Sequence, residues 1–190
     1  VHQQELTLSN DVAFNSGKIK TVKVNYSTEI KPAADIEWVN NAYNLVPSVN
    51  ALSIGDKVVI VASKYNKAAG AQNSNNRASV NVVKNTENNT VDFDTKVAIF
   101  TVAAGKTAGN FAFKTEAGKY IYAAGGTSSN HLKEEASLST KSSWIVSIVN
   151  GVATIKAEDS STTRNLIRYN DAATNGDLFS CYQSGQADVS

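Results

Sequence analysis

Apolar and polar residues alternate with a period of two along most of the chain, and clusters of turn-forming residues separate the alternating segments. This pattern is typical of β-strands that bury one face. Helical spacing is confined to residues 47–52, which predict a single turn at most. Strands are predicted near residues 5–8, 18–26, 57–62, 78–83, 90–93, 97–102, 110–114, 120–123, 143–148, 153–157, 166–169 and 178–182.

The separators carry the chemistry of tight turns. Asn150-Gly151 and Asn175-Gly176 are Asn-Gly pairs, and Gly125-Gly126 is a further break between alternating segments. Asn-Gly is the strongest short signal for a hairpin, because both central residues of a type I′ turn need positive φ. Many short strands separated by such turns predict a sandwich or a barrel.

A threefold internal repeat decides between these two architectures. Three segments begin with a glycine followed by alternating apolar residues: Gly55-Asp56-Lys57-Val58, Gly109-Asn110-Phe111-Ala112 and Gly151-Val152-Ala153-Thr154. The first two run on into related sequences, Lys64-Tyr65-Asn66-Lys67-Ala68-Ala69-Gly70 and Lys119-Tyr120-Ile121-Tyr122-Ala123-Ala124-Gly125. Each unit is also predicted to open with a strand containing a large apolar residue, at residues 43–46, 99–102 and 144–146. A repeat of this kind dictates the architecture.

Three units of four short strands resemble a β-trefoil. The predicted fold class is therefore all-β, a β-trefoil-like closed barrel with three pseudo-repeats over residues 43–190, and a β-sandwich is the alternative. Residues 1–42 do not fit the repeat and are predicted to form an N-terminal β-hairpin extension or the remnant of a preceding sandwich domain. Closure removes exposed strand edges, which favours a monomer.

The composition excludes several classes of function. The 190 residues include 18 basic and 17 acidic side chains, a net charge of +1, without a run of one sign. Nucleic-acid binders usually show a basic excess, so no nucleic-acid partner is predicted. No apolar run approaches the roughly 18 residues of a membrane-spanning helix, so no transmembrane segment is predicted. The single cysteine, Cys181, lies in an apolar segment and is predicted to be a small buried hydrophobe.

The surface chemistry and the chain start suggest export. Asn, Ser, Thr, Ala and Gly are used heavily, and charged residues make up 18% of the chain. The chain starts at Val1 and contains no methionine, as expected if a targeting segment had been removed. We therefore expect an extracellular or outer-cell-surface location after loss of a signal peptide.

The sequence also resembles a module of secreted and surface proteins of gut Bacteroidetes. The matching segments are Ile54-Gly55-Asp56-Lys57-Val58-Val59-Ile60-Val61, Gln72-Asn73-Ser74-Asn75-Asn76-Arg77, Gly118-Lys119-Tyr120-Ile121-Tyr122-Ala123-Ala124, Thr163-Arg164-Asn165-Leu166-Ile167-Arg168-Tyr169-Asn170 and Leu178-Phe179-Ser180-Cys181-Tyr182. That module looks like a C-terminal accessory domain of varied extracellular proteins. The resemblance implies an exported, non-catalytic role and brings no defined active-site residues.

Catalytic, metal and nucleotide signatures are weak. Gly105-Lys106-Thr107 resembles the end of a phosphate-binding P-loop, but the glycine required five positions earlier is Phe100, so a hairpin loop is predicted instead. His2, His131 and Cys181 lack the spacing of metal ligands, so no metal and no cofactor are predicted. A carboxylate pair of a glycosidase could come from Asp92 and Asp94, Glu134 and Glu135, or Glu158 and Asp159, although solvated surface is the simpler interpretation.

Aromatic residues mixed with polar ones give the single indication of a ligand. A sugar ring lays its C–H face on an aromatic plane while polar side chains bind its hydroxyls. Two groups offer that mixture: Tyr120, Tyr122, Asn130 and His131 in the second unit, and Arg168, Tyr169, Asn170 and Asp171 in the third. The competing interpretation is that one tyrosine of each group faces the core, since aromatic residues are favoured in strands anyway.

The sequence thus predicts a non-catalytic extracellular binding or accessory module that binds a glycan or a cell-surface protein through polar loops on a rigid scaffold. The alternatives are a structural, adhesin-type surface domain without a small ligand, and a small carboxylate-dependent hydrolase.

Overall fold

The protein is described by a computed structural model that covers residues 43–93, 96–172, 174 and 176–190. The hairpin predicted in residues 1–42 lies outside the described residues. The described strands are β1 (Tyr43–Asn44), β2 (Lys57–Val58), β3 (Lys67–Asn73), β4 (Asn76–Asn81), β5 (Val83–Asn85), β6 (Thr90–Asp92), β7 (Phe100–Ala104), β8 (Phe111–Lys114), β9 (Tyr120–Ala123), β10 (Leu132–Glu135), β11 (Trp144–Val149), β12 (Val152–Ala157), β13 (Leu166–Asn170) and β14 (Leu178–Tyr182). A 3-10 turn at Val49–Ala51 confirms the single turn predicted there.

Five strands follow one another around a barrel. Strand β2 pairs with β7, β7 with β8, β8 with β11 and β11 with β12, always antiparallel. These ladders leave one gap, which residues 187–190 cross. Val61 and Ser190 exchange backbone hydrogen bonds of 3.0 and 2.8 Å, and the Ala153 N–H donates to the Val189 carbonyl at 2.7 Å. The end of the chain therefore joins the first and third units through isolated bridges instead of a full strand.

Three hairpins lie beside the barrel strands, one in each unit. They are β3–β4, β9–β10 and β13–β14. Strand β14 also pairs with β4, and the Leu132 N–H at the start of β10 donates to the Asn75 carbonyl at 2.9 Å, so the hairpins contact one another. Barrel strands and one hairpin per unit are the arrangement of a β-trefoil, which confirms the predicted all-β, trefoil-like fold class. The all-β content is compatible with the sandwich alternative as well.

The repeated glycines mark equivalent turns before three barrel strands. Gly55, Gly109 and Gly151 have φ of 99°, 88° and 76°, in the left-handed region that favours glycine. Asn150, before Gly151, has φ of 50°, as a type I′ hairpin turn requires. The Asn-Gly prediction at the β11–β12 turn is therefore confirmed.

The core lies inside the barrel and under the hairpins. Aromatic and aliphatic side chains from all three units form it, with Trp144, Phe100 and Phe179 the largest that are fully buried. A smaller cluster is centred on Val61, Val82, Val91 and Val97 and belongs to the first unit. Cys181 is fully buried, which confirms the interpretation of it as a small hydrophobe.

The structure changes the predicted boundaries of the units. Phe100–Ala104 pairs with β2, and Trp144–Val149 pairs with β8. Since β2 and β8 follow the repeated glycines, the two later strands end the units that those glycines begin. Tyr43–Asn44 is in neither the barrel nor a hairpin, because it pairs with β6 in a separate three-stranded sheet of order β1-β6-β5. This small sheet accounts for the greater length of the first unit.

Candidate functional site

The two predicted groups of binding residues lie on different hairpins. In the second unit, Tyr120 and Tyr122 project from the half-buried face of β9, whereas Ile121 and Ala123 between and after them are fully buried. The Lys114 ammonium lies 5.3 Å from the centroid of the Tyr120 ring. Both tyrosine rings are therefore reachable at the surface.

The polar members of that group are held by the surrounding loops. The Asn130 Oδ1 accepts a hydrogen bond of 2.6 Å from Arg164, whose backbone N–H donates to the Gly126 carbonyl at 3.1 Å. His131 is half-buried, and its backbone carbonyl accepts from the Ala124 N–H. Asn130 thus fixes the loop of the second unit against the third.

The third unit divides its predicted residues between core and surface. Tyr169 is 2% exposed and belongs to the main core. Arg168 forms an ion pair of 2.8 Å with Asp188. The Asn170 amide donates to the Tyr182 hydroxyl at 2.9 Å, while its oxygen accepts from the Ala172 N–H at 3.0 Å. Asp171 is exposed at the end of β13.

A cluster of side chains forms around Asp171 where the first and third units meet. The Tyr65 hydroxyl donates a hydrogen bond of 2.7 Å to the Asp171 Oδ2. The Tyr65 ring lies 4.9 Å from the Tyr169 ring, and Tyr169 lies 5.1 Å from Phe179, centroid to centroid. The half-buried ring of Tyr65 is therefore backed by the aromatic core and tied to an exposed carboxylate. We call Tyr65, Lys67, Tyr169, Asp171 and Asp177 the interunit cluster.

A second carboxylate completes the interunit cluster. Asp177 Oδ2 accepts a hydrogen bond of 3.0 Å from the Tyr169 hydroxyl and forms an ion pair of 2.7 Å with the Lys67 ammonium. Lys67 begins β3 of the first unit, and Asp177 immediately precedes β14 of the third. The cluster therefore connects the two units by both tilted ring contacts and polar contacts.

The electrostatics of the cluster favour a charged Asp177 and neutral phenols. The hydrogen bond to Asp171 raises the pKa of Tyr65, because donation to a carboxylate stabilises the protonated phenol. Burial, followed by the hydrogen bond to Asp177, raises the pKa of Tyr169 to about 12. The hydrogen bond from Lys67 lowers the pKa of Asp177. At neutral pH the cluster therefore presents hydrogen-bond acceptors beside an aromatic face.

This arrangement suits recognition of a polyhydroxylated ring. Tyr65 donates to one oxygen of Asp171, and the described residues provide no hydrogen bond to the other oxygen, Oδ1. A carboxylate oxygen can accept from ligand hydroxyls, while the partly exposed Tyr65 ring offers an apolar face. Because both groups are fixed before a ligand arrives, little conformational entropy is lost on binding.

Sequence reasoning found Tyr169 and Asp171 but missed Tyr65, Lys67 and Asp177. The internal repeat contained a usable signal for Tyr65, since Lys64-Tyr65 aligns with Lys119-Tyr120, and Tyr120 was chosen. Lys67 and Asp177 had no comparable signal, because their proximity depends on how the first and third units pack. Among the described residues, no hydrogen bond or ring contact joins the predicted residues of the second unit to the interunit cluster.

Three of the carboxylates considered for a hydrolase, Glu134, Glu135 and Glu158, are engaged in structural contacts. Glu134 pairs with Arg77 at 2.9 Å, and Glu135 accepts from the hydroxyls of Ser139 and Ser142. Hydrogen bonds from Ser143, Thr107 and Asn110 lower the pKa of Glu158. A glycosidase acid needs a raised pKa, so this direction is unfavourable for Glu158 as a proton donor. Asp92 is exposed, and Asp94 lies outside the described residues.

The remaining sequence signals have structural explanations. Residues 105–107 lie in the turn between β7 and β8, where the Lys106 N–H donates to the Ser143 hydroxyl at 2.8 Å and the Thr107 hydroxyl donates to Glu158. Within residues 43–93, 96–172, 174 and 176–190, three or more His, Cys, Asp or Glu side chains never converge as a metal site would require. The described helical structure includes no segment long and apolar enough to span a membrane.

Comparison with known proteins identifies the fold. The sequence matches no protein-family model and no curated protein. Among solved structures, it is similar to a Polyporus squamosus lectin bound to the human-type influenza-binding epitope Neu5Acα2-6Galβ1-4GlcNAc, with a TM-score of 0.52 and 14% identity over 73% of this chain. The match covers 49% of that lectin, about half its length. At this identity the likeness shows the fold alone, a β-trefoil-like fold found in carbohydrate-binding proteins.

Two further structures match with lower scores. SeviL bound to asialo-GM1 saccharide has a TM-score of 0.45 and 14% identity, over 72% of this chain and 95% of SeviL. A GlcNAcα1-4Gal-releasing endo-β-galactosidase from Clostridium perfringens also scores 0.45, with 11% identity over 70% of this chain and 31% of the enzyme. A TM-score of 0.45 is too low to support a conclusion about this chain.

Proposed function

We propose that this chain is a non-catalytic, extracellular glycan-binding module. The observation that carries the proposal is the pairing of Tyr65 with Asp171, a partly exposed ring fixed beside an exposed carboxylate by a hydrogen bond of 2.7 Å. The lectin-like fold supports the same class of ligand. Loops presented by a rigid β-scaffold are common sites of recognition.

The proposed contact uses two features of a sugar at once. The C–H face of a pyranose packs on the Tyr65 ring, and two of its hydroxyls donate to Asp171. Lys67 and Asp177 neutralise one another, so the ion pair supports the site without adding net charge. Tyr120 and Tyr122 form a second proposed surface in the second unit, with Asn130 and His131 shaping the adjacent loop. Arg168 and Asn170 are proposed to support Asp171 from β13.

A glycan array followed by titration calorimetry tests the proposal. The panel should include Neu5Acα2-6Galβ1-4GlcNAc, the ligand in the similar lectin structure, and its desialylated form. For a glycan that binds, Asp171→Asn should weaken binding about tenfold, the loss of one charge-assisted hydrogen bond. Tyr65→Ala should weaken it further, because it removes both the ring and the hydrogen bond that fixes Asp171.

Matched variants assign the contact to one surface. Tyr122→Ala removes a half-exposed tyrosine of the other proposed surface, and Asp159→Asn neutralises a carboxylate held by Ser161 and Thr162. If the interunit cluster binds the glycan, neither substitution should change the affinity by more than about twofold, well under a single hydrogen bond. No binding across the array, or equal loss with Tyr122→Ala and Tyr65→Ala, would contradict the assignment to the interunit cluster.

The cellular role is proposed as that of an accessory module in an exported protein of a gut Bacteroidetes bacterium. The Asn-, Ser- and Thr-rich composition and the resemblance to such modules support this proposal. Protease shaving of intact cells that express the full-length precursor would release the module from the surface if the proposal is correct. Retention of the module in the cytosol would contradict it. We also propose a monomer, which light scattering can test.

A further inference from the structure

A cavity at one end of the barrel is separate from the interunit cluster. It has a volume of about 260 Å³ and lies between the three-stranded sheet, the segment that starts at β2 and the β11–β12 turn. Engineered apolar cavities of about 150 Å³ accept benzene, and drug-sized ligands occupy about 300–1,000 Å³. The cavity therefore has room for a compact ligand of roughly ten heavy atoms but not for an oligosaccharide.

The walls of the cavity are largely aliphatic. Val58, Val59, Val61 and Val91 line it, and Leu45 and Val152 contribute side chains that are 39% and 38% exposed. Tyr43 also lines the cavity, and its ring packs on Phe93 at 5.2 Å between centroids. The valines offer an apolar surface to a saturated hydrocarbon, and the lining also contains polar side chains such as Asn85, Asn89 and Thr90.

The charged side chains that line the cavity are basic, and Ser190 also borders it. Among its described lining residues, Lys57 and Lys84 are the charged side chains, and neither Asp nor Glu is present. The Lys57 ammonium is held by the Thr101 hydroxyl at 2.6 Å. The Lys84 ammonium donates to the carbonyl of Ala62 and, at 2.9 Å, to that of Ser63. Two neutral carbonyls orient Lys84 without neutralising it, and its third N–H is available to a ligand.

Two further observations place an unsatisfied polar group beside Lys84. The Ser63 hydroxyl is buried and makes no hydrogen bond to a described residue, although Ser63 lines the cavity and its carbonyl accepts from Lys84. Burial also lowers the pKa of Lys84, so its charge is incompletely compensated. A buried hydroxyl and a partly desolvated ammonium both gain from an anionic acceptor.

We propose that this cavity binds a small monocarboxylate with an apolar body. The carboxylate accepts hydrogen bonds from the Lys84 ammonium and the Ser63 hydroxyl, and the hydrocarbon lies against the valines. This site would act independently of glycan binding at the interunit cluster.

Three eight-carbon probes distinguish the contribution of the ligand's charge to binding from that of its hydrocarbon chain. Octanoate, octanol and octylamine should be titrated into the ¹³C-methyl-labelled protein, below their critical micelle concentrations, and followed by NMR. Octanoate is expected to shift the methyl signals of Val58, Val59 and Val61 and to bind at least tenfold more tightly than octanol, with octylamine weakest. Equal affinity for octanoate and octanol, or shifts confined to other valines, would overturn the proposal.

Substitutions then test the role of the lysine. Lys84→Met keeps an unbranched apolar stem without the ammonium and should reduce the preference for octanoate over octanol to less than about twofold, since a charge-assisted hydrogen bond is lost. Lys156→Met, an exposed lysine on β12, is the matched control and should leave the preference unchanged. Asp171→Asn should also leave it unchanged, which distinguishes failure of this proposal from failure of the glycan proposal. An unchanged preference in a folded Lys84→Met protein would refute the assignment, and Ser63→Ala provides a second, milder test.

Discussion

At the scale of single residues, Tyr169 shows how burial couples to protonation. Its ring lies in the core, and its hydroxyl donates to Asp177 at 3.0 Å. Burial raises its pKa in the folded protein to about 12 from an ordinary value of 10.0. A raised pKa contributes stability that is fully present below pH 10 and is lost as the pH rises towards 12, because the unfolded chain releases its proton first.

We therefore expect Tyr169→Phe to flatten the alkaline loss of stability. At pH 8 the variant should be less stable than the wild type by about 1–2 kcal/mol, because Asp177 loses a hydrogen bond. As the pH rises from 10 to 12, the wild type should lose stability on the order of 2 kcal/mol relative to the variant, so the difference should vanish or reverse. Urea unfolding at several pH values measures it. The surface variant Tyr120→Phe is the control, and a gap for Tyr169→Phe that stays constant with pH would contradict the explanation.

Cys181 gives a second prediction at this scale. It is fully buried in β14, and burial raises the pKa of its thiol. Since the thiolate is the reactive form, the native protein should react with a disulfide reagent at least a hundredfold more slowly than the urea-unfolded chain, because reaction requires opening of the fold. Thiol titration with Ellman's reagent measures both rates. Rapid stoichiometric labelling of the native protein would show that the core around β14 is open.

The interunit cluster marks the limit of sequence reasoning about individual residues. Asp171 was predictable because it follows an aromatic strand, and Tyr65 could have been found through the internal repeat. Asp177 and Lys67 could not, because 110 residue positions separate them and their ion pair depends on the packing of two hairpins. The exposed or buried state of Tyr169 depended on register, since one step along β13 exchanges the two faces of the strand.

At the scale of elements, the strands that the pattern missed are those with few large apolar residues. Strand β3 reads Lys-Ala-Ala-Gly-Ala-Gln-Asn, and its buried members are Ala68, Ala69 and Gly70. A Cβ on Gly70 would lie 2.6 Å from the Val80 side chain and 3.3 Å from the Ala78 carbonyl, so the packing of this hairpin leaves no room for a side chain at position 70. Strand β10 contributes one large apolar residue, Leu132, to the core. Alternation of large apolar residues is therefore a reliable guide to barrel strands and a poor guide to these hairpin strands.

A buried ion pair connects the hairpins of the first two units. Arg77 on β4 is 3% exposed and donates to Glu134 on β10 at 2.9 Å and to the Gly70 carbonyl at 2.8 Å. Its guanidinium carbon lies 4.9 Å from the centroid of the Phe100 ring. Glu134 thus compensates a charge that the fold has removed from water. This contact explains why Glu134, a candidate for hydrolysis in the sequence, is occupied in the structure.

We expect Glu134→Gln to destabilise the protein by about 3 kcal/mol, since it leaves the Arg77 charge buried without a counter-charge. The double variant Arg77→Met, Glu134→Gln should recover part of that loss, because the uncompensated charge is gone. Glu116→Gln, at an exposed turn, is the matched control and should change the free energy of unfolding by less than about 0.5 kcal/mol. Chemical denaturation of the wild type and the three variants measures these differences in the free energy of unfolding. A double variant less stable than Glu134→Gln alone would contradict the explanation.

At the scale of the whole molecule, the threefold pattern and the closure of the barrel come from different parts of the sequence. The repeated glycines specify equivalent turns, and they were sufficient to predict an all-β, trefoil-like fold. The closure depends on residues 187–190. Their short alternation of apolar and polar residues does not indicate which segments they pair with. Their partners, Val61 and Ala153, lie in the first and third units, and the contact between Ser190 and Val61 is far longer in sequence than that between Val189 and Ala153.

Within residues 187–190, the Val189 side chain is fully buried and packs in the main core. Val189→Ala should therefore cost about 2 kcal/mol, the loss of buried methyl groups plus the cavity they leave. Val149→Ala is the matched control, because that side chain is 68% exposed on β11 and should change stability by less than about 0.5 kcal/mol.

Hydrogen exchange should locate the effect: protection of the Ala153 and Val61 amides, which donate to residues 189 and 190, should fall most in Val189→Ala. Equal stabilities for the two valine variants would show that the end of the chain does not hold the barrel together.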